Sequence, residues 1–208
     1  MFKRQIKLII FLTILFIFSN IINVNALSAD VAYVVKNSQG VDNILLNEIH
    51  NNEFTTDIIF ESQISATNFA DYRVIVTGDQ DLDAPENIPV NKHPSLIINS
   101  HNFYEKFLDK QLGWSISKGA LASPTSLKIL SSTTKIGESL PENFNAYTVS
   151  DPLIQTYYLS GQKPQGIKII VSKPNLPADA VIATISPGDT FLNGKKAEAR
   201  NLFFGITK

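Results

Sequence analysis

The sequence contains no cysteine. The protein therefore cannot form a disulfide, use a thiolate nucleophile or bind a metal through sulfur. Histidine is also scarce, with three residues among 208, so few imidazoles are available as general bases or nitrogen ligands. No N-x-[ST] triplet occurs, so the chain offers no acceptor for N-glycosylation. A domain of this composition has to be held together by its hydrophobic core.

The N-terminal segment has the pattern of a secretory signal peptide. Three basic residues lie within the first seven positions, an almost unbroken apolar run covers residues 8–18, and small residues precede a cleavage point at Ala26. We expect cleavage after Ala26 and a secreted or cell-surface domain. The alternative is an uncleaved membrane anchor, because the apolar stretch continues to Ile22 and a spanning helix needs about 20 apolar residues.

The charge of the mature chain argues against nucleic acid as a partner. Removing residues 1–26 takes away three of the 18 basic residues and no acidic one, which leaves 15 basic and 19 acidic residues and a net charge of −4. Nucleic-acid binding depends on clustered Lys and Arg, and no basic run follows residue 26. Residues 27–208 fit one domain, which at this size buries about 70% of its unfolded surface.

The first half of the chain alternates β-rich and helical segments. Short, continuous apolar runs predict strands, and such runs are typical of strands covered on both faces of a parallel sheet. Apolar residues at helical spacing predict a helix over 41–51. Strand and helix in alternation favour parallel βαβ units. The predicted strands are 31–35, 57–61, 73–77 and 95–99, and we expect all four to be mutually parallel and central in the sheet.

The second half of the chain has a different sequence pattern from the first half. Short β-rich runs are separated by prolines, and no strong helical period is present. We predict either antiparallel strands or an excursion attached to the sheet, with Pro187-Gly188-Asp189 as a turn between the last two strands. The predicted strands of this half are 127–130, 147–149, 154–159, 167–171, 180–185 and 202–206.

Three parts of this pattern resemble the class I glutamine amidotransferase-like superfamily, and within it the ThuA-like branch. They are residues 71–76, then Leu96-Ile97-Ile98 running into a predicted helix, then Leu112-Gly113-Trp114. The closing strands 180–185 and 200–205 are similar to those of the ThuA-like branch. The resemblance covers about residues 30–206 and implies an α/β, flavodoxin-like three-layer sandwich with a mostly parallel central sheet and a β-rich second half.

The family's catalytic signature is missing from this sequence. Amidotransferases carry a Gly-x-Cys-x-Gly elbow after the strand that corresponds to 95–99, and this chain has Asn99-Ser100-His101-Asn102 there. That chemistry needs a thiolate on a tight turn with small neighbours, so that backbone N–H groups reach the oxyanion. We therefore expect no amidotransferase activity.

Ser100, His101 and Asp79 are the candidate catalytic residues. Ser100 and His101 lie where a predicted strand turns into a helix, and Asp79 follows the neighbouring strand. Side chains adjacent in sequence at such a turn point in different directions, so His101 is poorly placed as a base for Ser100. A structural alternative is that Ser100 or Asn99 caps the helix. The candidate ligand-binding residues are Asp79, Asp81, Ser100 and Asn102.

Alternating acidic residues make the loop after strand 73–77 a candidate calcium site. Asp79, Asp81 and Asp83 supply the hard oxygen ligands that Ca²⁺ prefers. The EF-hand pattern fails, because Ala84 and Val90 occupy the positions that require Gly and Glu. A solvated loop stiffened by prolines is the other interpretation, and we assign no metal.

These observations lead to two functional hypotheses. The first is an exported, non-catalytic domain with a binding or structural role, needing no cofactor and with other cell-surface proteins as possible partners. Membrane contact would come through the leader alone, if the leader stays uncleaved. The second is a ThuA-like hydrolase or isomerase acting on a carbohydrate through Asp79, Ser100 and His101. The two differ in whether these side chains converge in one pocket.

Overall fold

The computed structural model describes residues 28–98, 113–115, 117–123, 125–131, 140–147 and 155–206. Within them lie one α-helix, several short 3₁₀ turns and one large sheet. Helix α1 is Asn43–Asn51. The strands are β1 Val31–Val35, β2 Thr56–Phe60, β3 Val74–Thr77, β4 Ser95–Ile98, β5 Ser117–Ala122, β6 Thr125–Ile129, β7 Asn143–Tyr147, β8 Gln155–Ser160, β9 Lys168–Lys173, β10 Leu176–Ile185 and β11 Asn201–Phe204.

The first four strands are mutually parallel, as predicted. The sheet runs in the order β2-β1-β3-β4-β11-β10-β9-β6-β7, and β11 extends the parallel part by pairing with β4. β1 and β3 are fully buried along their lengths, which is why their sequences are continuous apolar runs rather than alternating ones. β2 lies at the edge of the sheet, so the expectation that all four strands are central is wrong for β2.

The second half is antiparallel, as its sequence predicts. β10 pairs antiparallel with β11, β9 and β8, and β6 pairs antiparallel with β9 and β7. The predicted turn at Pro187-Gly188-Asp189 is present: Asp189 N–H donates to Ser186 O at 3.1 Å, and Gly188 adopts a φ of 92°. The sheet is therefore mixed, and its parallel character is confined to five neighbouring strands.

Helix α1 begins at Asn43 because Asp42 caps it. The Asp42 carboxylate accepts hydrogen bonds from Ile44 N–H at 2.8 Å and Leu45 N–H at 3.3 Å. The sequence period alone placed the helix start at Val41 and Asp42 on the polar face. Asp42 instead satisfies N–H groups that the first turn leaves without partners.

Loss of the Asp42 cap should destabilise the protein. We expect Asp42→Ala to lower the free energy of unfolding by about 1 kcal/mol, because two backbone donors lose their acceptor. Asp42→Asn keeps an acceptor at the same place and should change stability much less. Urea unfolding of the three proteins measures the difference, and equal losses in both variants would contradict a capping role.

Two hydrophobic clusters cover the two faces of the parallel strands. On one face, buried side chains of α1, β6 and β7 belong to the same cluster as alternate residues of β1 and β3. On the other face, the connections from β2 to β3 and from β3 to β4 supply Ile64, Phe69, Leu82 and Ile88. These two connections contain 3₁₀ turns and no α-helix. α1 and these two connections lie on opposite faces of the parallel strands, as crossovers of one common hand require for this strand order.

Candidate functional site

Asp79 lies at the carboxyl edge of the parallel strands, directly beyond β3. Gly78 N–H donates to Val34 O at 2.8 Å, which holds this point of the chain against β1. A Cβ on Gly78 would come within 2.8 Å of Val35 Cγ1 and 3.4 Å of the Tyr33 hydroxyl oxygen. The backbone therefore passes close to the end of β1. Asp79 follows at the carboxyl edge of the sheet, where ligands bind in open parallel sheets, and its side chain is half-exposed.

The rest of the acidic loop is tied to its surroundings. Lys36 N–H donates to Gln80 Oε1 at 3.0 Å, and Lys36 Nζ pairs with Asp83 Oδ1 at 2.8 Å. Ala84 N–H donates to Glu61 Oε1 at 2.8 Å. Asp81 is half-buried between these anchors, while the Asp83 side chain is 75% exposed. The loop is thus held between the end of β1 and the 3₁₀ turn after β2.

The structure gives the calcium hypothesis no support. Among the described residues no group of three acidic or histidine residues is arranged to hold a metal ion. Asp83, one of the three candidate ligands, is instead in an ion pair with Lys36. This pair is largely solvent-exposed, so it contributes little to stability and mainly orients the loop.

Three buried tyrosines share this end of the molecule with Asp79. Tyr33 on β1, Tyr147 at the end of β7 and Tyr157 on β8 are 1%, 5% and 8% exposed. The Tyr33 hydroxyl accepts from Asp42 N–H at 3.1 Å and donates to Gly40 O at 3.4 Å.

Tyr157 is fixed at the carboxyl end of β11. Its N–H donates to Gly205 O at 2.7 Å, and its hydroxyl donates to Gln155 Oε1 at 3.0 Å. A Cβ on Gly205 would overlap the carbonyl oxygen of Tyr157, so glycine is required for this close approach of β8 to β11.

The negative charge of Asp79 acts on all three phenols. Burial is the main cause that raises the pKa of Tyr33 to about 12; the hydrogen bond from Asp42 N–H opposes the rise, and the charges of Asp42 and Asp79 add to it. Burial also raises the pKa of Tyr147 and that of Tyr157, and Asp79 adds to both. The site is therefore a carboxylate with neutral phenols around it.

Alkaline pH should destabilise the domain through these phenols. The pKa of Tyr33 is higher in the folded protein, about 12, than its ordinary value of 10.0, so its stabilising contribution is complete below pH 10 and is lost as pH rises towards 12. We expect the unfolding free energy to fall in this window, by roughly 2 to 3 kcal/mol for Tyr33 alone. Tyr33→Phe should flatten the decline in urea unfolding measured at several pH values, and an unchanged decline would contradict the assignment.

The other predicted residues are placed as follows. Ser100, His101 and Asn102 lie outside the described residues, as do Asn99 and the predicted helix after it. His50 is exposed in the last turn of α1, and His93 lies before β4, at the amino edge. Neither imidazole is therefore at the carboxyl edge with Asp79. Whether Asp79 meets Ser100 or His101 stays a prediction.

Sequence reasoning missed the three tyrosines. Tyr33 carried a weak signal, since it is the one residue with a polar tip inside an otherwise aliphatic strand. Tyr147 and Tyr157 carried none, because they come from distant antiparallel strands whose pairing the sequence does not reveal.

None of the helices in the described part of the chain is long and apolar enough to cross a bilayer. The predicted leader lies outside that part.

The fold of this chain is similar to that of several solved structures. A cytoplasmic protein of Salmonella typhimurium superposes with a TM-score of 0.54 at 12% identity, over 84% of this chain and 86% of that one. A glutamine amidotransferase of Thermotoga maritima gives a TM-score of 0.47 at 9% identity, over 85% and 74% of the two chains. A ThuA-like protein of Bacteroides uniformis gives 0.47 at 12% identity, over 89% and 85%.

At such identities the likeness concerns the fold alone. No family model matches the chain, and no curated protein matches it significantly.

Proposed function

We propose that this protein is an exported binding domain with a flavodoxin-like, amidotransferase-like sheet and without amidotransferase chemistry. Its ligand would lie at the carboxyl edge of β1, β3 and β4, with Asp79 as the anionic anchor. The observation that carries the proposal is the half-exposed Asp79, which follows a fully buried strand and acts electrostatically on three phenols from separate strands.

The chemistry of the edge favours binding over catalysis. The chain has no thiol, and two of its three histidines lie elsewhere, His50 on α1 and His93 before β4. The phenols of Tyr33 and Tyr147 stay neutral at physiological pH, since burial raises the pKa of each, so neither is a ready proton acceptor. The third histidine, His101, is next to Ser100 in sequence, and we expect adjacent side chains at the predicted turn to point in different directions.

The same groups indicate what kind of ligand fits. A carboxylate prefers a cation or a strong hydrogen-bond donor as its partner. The nearby cation Lys36 is engaged with Asp83 and so does not turn the edge into an anion site. We infer a ligand rich in amine or hydroxyl donors, as borne by a cell-surface polymer or protein.

A charge-matched pair of probes tests the edge. Ethanolamine, a cation at neutral pH, should cause saturable NMR shifts at Gly78 and Asp79, and the anion glycolate should not. Asp79→Asn should abolish the response. Asp83→Asn, in the same loop but paired with Lys36, is the matched control and should retain it. A response that survives Asp79→Asn, or a preference for glycolate, would refute the assignment.

Export is tested separately. Material recovered outside the producing cell should begin at Leu27 by mass spectrometry. Exported protein that begins at Met1 would refute cleavage, and retention of all the protein inside the cell would refute export.

A further inference from the structure

A second concave site lies at the opposite edge of the sheet from Asp79. A cavity of about 350 Å³ is lined by the turns that precede β3 and by the connection that enters β4. Ile64 and Phe69, 3% and 5% exposed, give it an apolar floor together with Pro89. This amino-edge cavity is at the small end of the range for ligand sites in proteins, about 300 to 1,000 Å³.

Three polar side chains in the amino-edge cavity are uncommitted. Ser65, Asn87 and His93 line it, and within the described residues their side chains make no hydrogen bond. Two other lining residues differ: Thr67 Oγ1 donates to Gln63 O at 2.9 Å, and Asn68 Nδ2 donates to Asp71 Oδ1 at 2.9 Å. A hydroxyl, a carboxamide and an imidazole, each able to donate and accept, thus remain available around one apolar floor.

The lining carries no net charge near neutral pH. None of the described residues that form it is an acid, a lysine or an arginine. Burial, and secondarily the charge of Lys92, lowers the pKa of His93, so the imidazole is neutral at pH 7. No lining residue in the described part of the chain would act as a counter-ion for a charged ligand, which would lose hydration on binding, whereas an uncharged molecule loses much less.

We propose that the amino-edge cavity binds an uncharged ring compound that carries an amide or hydroxyl group. The ring would lie on Ile64, Phe69 and Pro89, and its polar group would exchange hydrogen bonds with Ser65, Asn87 and His93. The site is independent of the carboxyl edge, because the two lie at opposite ends of the parallel strands.

Benzamide and benzoate, which share a shape and differ in charge, test the proposal by NMR titration. We expect saturable shifts at Ser65, Asn87 and His93 with benzamide, and binding of benzoate weaker by about tenfold or more. Asn87→Ala, a change at an exposed residue, removes one of the three hydrogen-bonding side chains and should weaken benzamide binding.

Three further variants complete the test. Ser65→Ala should also weaken benzamide binding. Ser62→Ala, in the same 3₁₀ turn but outside the cavity lining, should leave it unchanged, as should Asp79→Asn at the other edge. Benzoate binding as tight as that of benzamide, no saturable shift with benzamide, or equal effects of Ser65→Ala and Ser62→Ala would each overturn the proposal.

Discussion

Ile75→Asp should unfold the domain. Ile75 is fully buried in β3, paired in register with Ala32 of β1 on one side and Ser95 of β4 on the other. Its side chain points into the cluster that the two 3₁₀-containing connections cover. A carboxylate there would have no partner, and the penalty of several kcal/mol is comparable with the entire stability of a small domain, about 5 to 15 kcal/mol.

Circular dichroism and urea unfolding measure this effect. Ile75→Val is the matched control and should lower stability by about 1 kcal/mol, since it removes one methylene group and adds no charge. A soluble Ile75→Asp protein with native circular dichroism and a cooperative unfolding transition would show that the core is misplaced.

Trp114→Ala should give the second-largest loss. Trp114 is fully buried, with its ring centroid 6.1 Å from that of Phe191 and 6.4 Å from that of Phe203. The preceding Gly113 has a φ of 63°, and its carbonyl accepts from Leu192 N–H at 3.0 Å, so the backbone fixes the position of the indole. Truncation leaves a large cavity, and we expect a loss of about 3 to 5 kcal/mol.

Trp114→Phe separates packing from hydrogen bonding. The indole Nε1–H is buried and finds no acceptor in the described part of the chain, so phenylalanine removes an unsatisfied donor while keeping an aromatic ring. We expect Trp114→Phe to be clearly more stable than Trp114→Ala in urea unfolding. Equal losses in the two variants would contradict the view that ring packing is what Trp114 contributes.

The parallel half of the fold was predictable because burial on both faces leaves a local sequence record. β1, β3 and β4 are runs of apolar residues, and each lies where that run predicts. β5 was missed because Ser117–Ala122 is small and polar and half of it is exposed; its strand conformation comes from pairing with β8 along its whole length. Such long-range pairing leaves no local signal in the sequence. For the same reason, the order of parallel and antiparallel strands across the sheet could not be predicted from it.

The candidate site, too, was predictable from the sequence only in part. Asp79 was predictable, since a polar residue directly after a buried parallel strand lies at the carboxyl edge whatever the rest of the chain does. Tyr147 and Tyr157 depend on where β7 and β8 lie in the fold, and the amino-edge cavity depends on two connections packing together. Both arrangements arise from tertiary contacts between segments distant in sequence.

Turnover is the measurement that tests binding without catalysis most directly. The mature domain, Asp79→Asn and Ser100→Ala should be assayed side by side on ester, amide and glycoside substrates, with folding of each variant checked by circular dichroism. We predict no turnover above background in any of the three, while ethanolamine binding is lost in Asp79→Asn. Turnover of any substrate by the wild-type domain that Ser100→Ala abolishes in a folded variant would contradict a non-catalytic role and favour a ThuA-like hydrolase or isomerase.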